Sequence, residues 1–398
     1  MNQALHAKQA SSFQGLESLA YILVGTVGVG VFLCMPVISS ALAENFGFDA
    51  RQVGEFSFVQ LAFISLGCLA GLYFSRRFSM RSVAAASVGL LLLMDLVSPH
   101  LREYNLFLVA RAVAGMAGGV AMALATGALA RLPAAEKYFG LFLLSQIIFS
   151  VVGIWLMPRL VASFGIAGVF YPLALVELVV IPLALLSMPA RSFAEGPSSV
   201  ARNSTADWML SAVMLVAILT FFTAVGAYWT YVGMIGRGSG LSAESVGLAL
   251  SLAAVGGALG SLVPVVVQQR FGQIVPLAGA AACLLLALAL TNDHDSLFTF
   301  ALSAAIFMFG WYIFHPYQLG VLAAIDRDGR AMMASAALTG LGLSIGPALV
   351  SRFIDDDMSV VYWISGAAFA VALGLILGAM AFATSGKSSA GAPCINKK

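Results

Sequence analysis

Long apolar runs separated by short polar segments dominate the sequence. Windows with about 20 apolar residues, the length of a membrane-crossing helix, lie at 19–41, 53–74, 82–98, 105–130, 139–161 and 166–188. Six more lie at 208–233, 244–267, 273–291, 297–324, 331–353 and 360–383. Backbone groups in hydrocarbon must pair within their own segment, and barrel strands would be shorter and would alternate. The pattern therefore predicts an all-α membrane protein with 12 transmembrane helices.

Composition supports this class and excludes others. The 398 residues are 61% hydrophobic and 10% charged, with a mean hydropathy of +0.97, whereas a soluble domain is about 25% charged. The basic residues are scattered over loops, unlike a nucleic-acid surface. The cysteines form no CxxC or Cys/His cluster, so we expect no disulfide framework, metal site or cofactor; they are Cys34, Cys68, Cys283 and Cys394.

The least hydrophobic stretch, 189–207, divides the chain into two related copies. Shifting the sequence by 193 residues aligns Gly47–Gly54 with Gly240–Gly247. The same shift aligns Gly67 with Gly260, Arg77 with Arg270, Gly153 with Gly346, and Arg159 with Arg352. The predicted organisation is an N-terminal segment (1–18), a six-helix half (19–188), a linker (189–207), a second six-helix half (208–383) and a tail (384–398).

The distribution of basic residues predicts the orientation. Of the 20 Lys and Arg residues, 14 lie on the side of the linker and both termini, 5 lie on the other side, and Arg111 lies within a span. Cytoplasmic loops carry the excess of Lys and Arg. We therefore predict a multi-pass plasma-membrane protein, in the inner membrane of a bacterium, with both termini and the linker in the cytoplasm.

Two parallel six-helix repeats joined by a cytoplasmic loop resemble the major facilitator superfamily. Between helices 2 and 3 that family carries Gly-x-x-x-Asp-Arg-x-Gly-Arg, and here the segment from Gly71 to Arg81 matches in part, with no acidic residue at the aspartate position. The resemblance implies a gating loop formed by Arg76, Arg77 and Arg81. The alternative is that these arginines only set the topology.

The resemblance extends to helix 4, where an arginine precedes a glycine-rich helix face. Here Arg111 is followed by Gly115, Gly118 and Gly119, and such glycines let a neighbouring helix approach closely. An arginine inside the bilayer needs a carboxylate, carbonyl groups or water. Arg111 is therefore expected to be functional, with snorkelling to the interface as the alternative.

In this family helices 1, 4, 7 and 10 line the cavity between the halves, which places a candidate solute site. Trp311, His315 and Gln318 fall on one face of helix 10, and helix 7 contributes Tyr228 and Trp229. With Arg111 these residues form the predicted substrate cavity, whose aromatic rings suit an organic solute. The alternative for Tyr228, and for Tyr231 on the same helix, is an interfacial aromatic belt.

Two intramembrane carboxyl groups are candidates for proton coupling. Asp95 lies near the end of helix 3, at a depth comparable with Arg111 on helix 4, so the hairpin could bring them together as an ion pair. Glu177 lies mid-span in helix 6, where burial penalises a charge. Either residue could instead have a structural role, as an ion-pair partner or as a protonated side chain bonded to a neighbouring helix.

Gly342-Leu343-Ser344-Ile345-Gly346 matches the hydrolase pattern GxSxG, but that elbow needs a strand-turn-helix context that an apolar span does not offer. We interpret Gly342, Gly346 and Pro347 as a close-packing, bendable helix segment. The protein is accordingly not predicted to be an enzyme.

The resemblance implies a monomeric secondary transporter in the lipid bilayer that moves a small organic solute by alternating access, with protons as the coupling ion. One alternative is a multidrug exporter of the same fold. A non-transporting sensor or assembly subunit is an alternative of another class, because fold does not prove function.

Overall fold

The structure is a computed structural model that describes residues 2–132, 135–190, 192, 205–267, 270–292, 296–326, 330–354 and 357–389. These residues form α-helices and one short 3₁₀ turn, without a strand. The helices are α1 (Asn2–Gly28), α2 (Gly30–Leu33), α3 (Met35–Phe46), α4 (Ala50–Arg77), α5 (Met80–Val97), α6 (Tyr104–Leu129), α7 (Ala135–Phe164), α8 (Ala167–Ser187), α9 (Thr205–Gly238), α10 (Ala243–Val267), α11 (Ile274–Asn292), α12 (Leu297–Ile325), α13 (Arg330–Phe353) and α14 (Ser359–Ser389).

Eleven of these helices, α4 to α14, contain stretches long and apolar enough to cross a membrane. The first predicted span is built from α1, α2 and α3 in succession, which brings the number of crossings to the predicted twelve. The prediction of one uninterrupted helix over 19–41 is wrong, because breaks occur at Val29 and Cys34. α1 also begins well before residue 19, at Asn2.

Pro36 explains part of the interruption. Proline has no N–H, so the carbonyl of Phe32 loses the donor that an α-helix would supply from four residues onward. The Val37 N–H bonds to the Cys34 carbonyl rather than to the Leu33 carbonyl, so the Leu33 carbonyl also receives no bond from the N–H four residues onward. Both carbonyls are bonded by other helices. Ser150 Oγ of α7 donates to Leu33 O at 2.9 Å, and Trp229 Nε1 of α9 donates to Phe32 O at 3.3 Å.

The 193-residue repeat recurs in the contacts between helices. A side chain at Gly54 of α4 would meet the carbonyl of Pro347, and one at Gly247 of α10 would meet the carbonyl of Ile154. Gly247 follows Gly54 by 193 residues, and Pro347 follows Ile154 by the same 193. The pairs Gly67 with Met116 and Gly260 with Phe309 repeat the relation within each half. The predicted fold class, two parallel-related six-helix halves, is confirmed. The domain boundaries remain a prediction, since most of 189–207 and the tail after 389 lie outside the described residues.

Contacts between the halves involve α4 with α13, α7 with α10, and α3 with α9. We call the end of the bundle where α4 and α8 finish the linker end, and the opposite end the far end. Tyr231 Oη of α9 donates to Ala50 O at 2.8 Å, and Arg237 pairs with Glu44. Both contacts lie at the far end. They hold the two halves together there.

Candidate functional site

The hairpin of α5 and α6 carries a buried ion pair. Arg111 Nη1 donates to Asp95 Oδ1 at 2.7 Å, and the two side chains are 0% and 1% exposed. Asp95 lies in the last turn of α5, Arg111 lies in the second turn of α6, and only a short connection separates the helices. The predicted pairing of these residues is therefore present in the structure. The Arg111 guanidinium also lies over the Phe170 ring of α8, 5.1 Å from its centroid.

Glu177 of α8 joins this pair and completes a cluster of two carboxyl groups and one guanidinium. Glu177 is 3% exposed and lines the same small cavity as Asp95. Asp95 Oδ2 and Glu177 Oε2 have no hydrogen-bond partner among the described residues. Two ionised carboxylates and one guanidinium would together carry a net negative charge, and a carboxylate can bind a proton. The cluster can thus hold one proton and be electrically neutral.

A small cavity opens on this cluster, with room for about one water molecule. Its lining includes Asp95, Glu177 and Gln60, together with Gly28 and Gly30 on either side of the first break in helix 1. Gln60 is 1% exposed, and its Oε1 has no partner in the described part of the chain. Gln60 was not among the site residues predicted from the sequence. Its signal was an amide inside the apolar run 53–74.

The second half has apolar residues at the same positions, so the fold does not require these charges. The 193-residue shift places Ala253, Leu288 and Ala304 at the positions of Gln60, Asp95 and Arg111, and all three are buried. A shift of 192 aligns the buried positions of α8 with those of α14, and it puts Phe369 at the position of Glu177. A buried polar cluster that the repeat replaces with apolar packing points to a functional role.

The second half contributes an aromatic cluster around Trp311 of α12. Its ring centroid lies 5.6 to 6.4 Å from those of Phe222, Trp229, Phe307 and Tyr312. The Phe222 ring meets His315 edge to face at 4.7 Å. Because Trp229 also donates to Phe32 of the first half, the cluster lies where the two halves meet. Trp311 and His315 are partly exposed, whereas Gln318 is fully buried.

The six predicted cavity residues do not form one group. Trp229, Trp311 and His315 belong to the aromatic cluster, and Gln318 adjoins His315 on the same helix. Arg111 is fully buried in the charge cluster. Tyr228 is also fully buried, packs on Phe307 at 4.3 Å and hydrogen-bonds Thr291 at 2.8 Å, so it lies in the core of the second half.

The remaining predicted residues lie away from both clusters. Arg76 and Arg77 are exposed at the linker end, and Arg81 Nε donates to Met188 O at 3.0 Å, which ties α5 to α8. The glycines allow close helix contacts. Gly115 and Gly119 of α6 face the α4 backbone, Gly118 faces Gly28 of α1, and Gly342 and Gly346 of α13 face α9. Pro347 lies within α13, against Gly54.

Ser344 lies within the continuous helix α13, is 0% exposed, and bonds to the carbonyl of Leu341 at 2.8 Å. The strand-turn-helix elbow of a hydrolase is therefore not present at Ser344. No group of three or more His, Cys, Asp and Glu side chains suited to a metal ion occurs among the residues whose placement the structure gives.

A family model described as "Major Facilitator Superfamily" matches residues 20–347. The chain belongs to the major facilitator superfamily. No curated protein sequence matches it. Membership of this family and its apolar helices make the chain a multi-pass membrane transporter.

Solved structures share the architecture of this superfamily member at low sequence identity. A D-xylose-proton symporter has a TM-score of 0.72 and 15% identity, covering 92% of this chain and 97% of its own. A structure described as giving insights into proton dependent oligopeptide transporters has a TM-score of 0.72, 13% identity and coverage of 94% and 99%. The nucleoside transporter NupG has a TM-score of 0.68, 13% identity and coverage of 92% and 98%. At these identities the likeness concerns the fold alone.

Proposed function

We propose that the protein is a proton-coupled secondary transporter that moves a small organic solute by alternating access, with the proton carried between Asp95 and Glu177. The observation that carries this proposal is the buried cluster of two carboxyl groups and one arginine on a water-sized cavity. Asp95 and Glu177 are the only acidic or basic side chains in the described lining of this cavity, which is otherwise formed by Gln60 and apolar or glycine residues, and Arg111 is paired with Asp95. The cluster is neutral with one proton and carries a net negative charge without it.

This charge change couples to the conformation through helix 1. The cavity with the carboxyl groups adjoins the break at Gly28 and Gly30, and the next segment of the same helix accepts the Trp229 hydrogen bond at Phe32. A deprotonated cluster attracts water or the Arg111 donors that lack partners among the described side chains. Movement of the broken segment then transmits that rearrangement to the aromatic cluster. By the orientation proposed from the basic residues, the far end, where Tyr231 and Arg237 contact the first half, faces outward.

Infrared difference spectroscopy on purified protein tests the protonated carboxyl group before any solute is known. The carbonyl stretch of a buried carboxylic acid should be present in the unaltered protein and lost or shifted in Glu177→Gln and Asp95→Asn. In proteoliposomes loaded with a pH-sensitive dye, a transported solute should move protons with it. Glu177→Gln should abolish accumulation driven by a pH gradient but keep solute exchange. Replacing Na⁺ by K⁺ should leave solute accumulation unchanged. Strict Na⁺ dependence of accumulation, or proton-driven accumulation that is unchanged in both Glu177→Gln and Asp95→Asn, contradicts the proposal.

A multidrug exporter is the second candidate, and the ring contacts around Trp311 are the observation that favours it. Competition assays in the same proteoliposomes separate the two. Broad mutual competition among unrelated cationic and neutral dyes supports the exporter, whereas selection of one chemical class supports a dedicated solute transporter.

A further inference from the structure

The second half of the protein has no formal charge inside the membrane. Its helices contain no Asp, Glu, Lys or Arg over 208–236, 245–267, 274–292, 297–325 or 331–351. A solute bound by this half therefore meets aromatic rings and uncharged polar groups only. A charged solute would lose its hydration without gaining an opposite charge here, which costs several kcal/mol.

Gln318 is the strongest polar feature inside this half. Its side chain is 0% exposed, and neither its amide oxygen nor its amide nitrogen meets hydrogen-bond geometry with a residue that the structure describes. His315 Nδ1 on the adjacent turn is in the same situation. Buried polar atoms without partners are rare in folded proteins and unfavourable. An amide places an acceptor and a donor side by side, so its complement is a solute edge with a neighbouring donor and acceptor.

Aromatic rings lie beside these polar groups. Phe222 contacts His315 edge to face, with its centroid 4.7 Å from the imidazole, and contacts Trp311 at 6.4 Å. Flat faces and edges of this kind favour a planar ring. The repeat offers no equivalent, because Gly118, Met122 and Ala125 occupy the positions of Trp311, His315 and Gln318. The fold therefore does not require the polar and aromatic groups of the second half.

We infer that the transported solute is an uncharged, planar ring compound with an amide-like edge, bound by Gln318 through paired hydrogen bonds and by Phe222 and Trp311 through ring contacts. This inference rests on the proposed transport function and names its substrate class. The neutral solute is recognised by the second half. The charge change of the proton cycle stays in the first half, at Asp95 and Glu177.

Four small probes test the inference by equilibrium binding to the purified full-length protein. They are benzamide, benzoate, benzylamine and cyclohexanecarboxamide, which vary charge and planarity at nearly constant size. Binding is measured at millimolar concentrations by the rise in melting temperature, since a ligand that binds only the folded state stabilises it. We expect benzamide to bind at least about tenfold more tightly than each of the other three, a difference of about 1.4 kcal/mol.

Variants assign the binding to Gln318. Gln318→Met keeps the side-chain length and should weaken benzamide binding about tenfold, as should Gln318→Leu if it folds. The matched control is Gln146→Leu, which removes a glutamine of the first half and should leave binding unchanged. Equal or tighter binding of benzoate or benzylamine, undiminished binding to both Gln318 variants, or no benzamide binding would overturn the inference. Glu177→Gln should still bind benzamide, so failure of proton coupling and failure of solute recognition are separable.

Discussion

Removal of one member of the Asp95–Arg111 pair should destabilise the protein strongly, whereas removal of both should not. Each single substitution leaves an uncompensated charge in a site that is at most 1% exposed, which costs about 3–5 kcal/mol. The second half packs Leu288 and Ala304 at the corresponding positions. We therefore expect the double variant Asp95→Leu/Arg111→Met to recover most of the stability of the unaltered protein while losing proton-driven transport.

Glu177 complicates this thermodynamic cycle because it can replace Asp95 as the partner of Arg111. The four proteins should therefore be compared in a Glu177→Gln background as well. In that background the coupling free energy between positions 95 and 111 should reach about 3 kcal/mol or more, and with Glu177 present it should be smaller. Unfolding in mixed micelles, followed by circular dichroism, measures these values. A coupling below about 1 kcal/mol, the range of exposed pairs, would refute the reasoning.

Three further predictions concern the interface, the glycines and Ser344. Charge reversal by Glu44→Arg should raise, a few-fold, the rate at which a membrane-impermeant thiol reagent labels a cysteine introduced by Ser40→Cys at this buried position. Adding Arg237→Glu should restore the low labelling rate. The change is modest because the Glu44–Arg237 pair is about a third exposed and contributes about 0–1 kcal/mol. Gly118→Ala should lower the melting temperature because its methyl group meets the Gly28 backbone, whereas Gly89→Ala, with nothing within 4 Å, should be neutral or slightly stabilising. Ser344→Ala should leave transport unchanged in proteoliposomes, since its hydroxyl bonds to the Leu341 carbonyl of its own helix. Loss of transport in this variant would contradict this purely structural role of Ser344.

The sequence by itself determined the twelve crossings and the two-fold repeat, and it made Asp95 and Arg111 candidates for an ion pair. A backbone in hydrocarbon must bond within its own helix, so apolar run length predicts each span closely. The repeat register follows from the constant shift of 193 residues. The pair was predictable because α5 and α6 are antiparallel neighbours joined by a short connection, which places residues of similar depth side by side.

Only the tertiary structure decided which distant side chains meet. It brought Glu177 of α8 and Gln60 of α4 to the ion pair, and it separated Arg111 from the aromatic cluster. It also joined Trp229 to a carbonyl that Pro36 had freed. These contacts depend on how each helix is rotated and broken against the others. In an almost uniformly apolar chain the sequence period leaves that rotation open, because lipid and protein offer nearly the same solvent to a leucine.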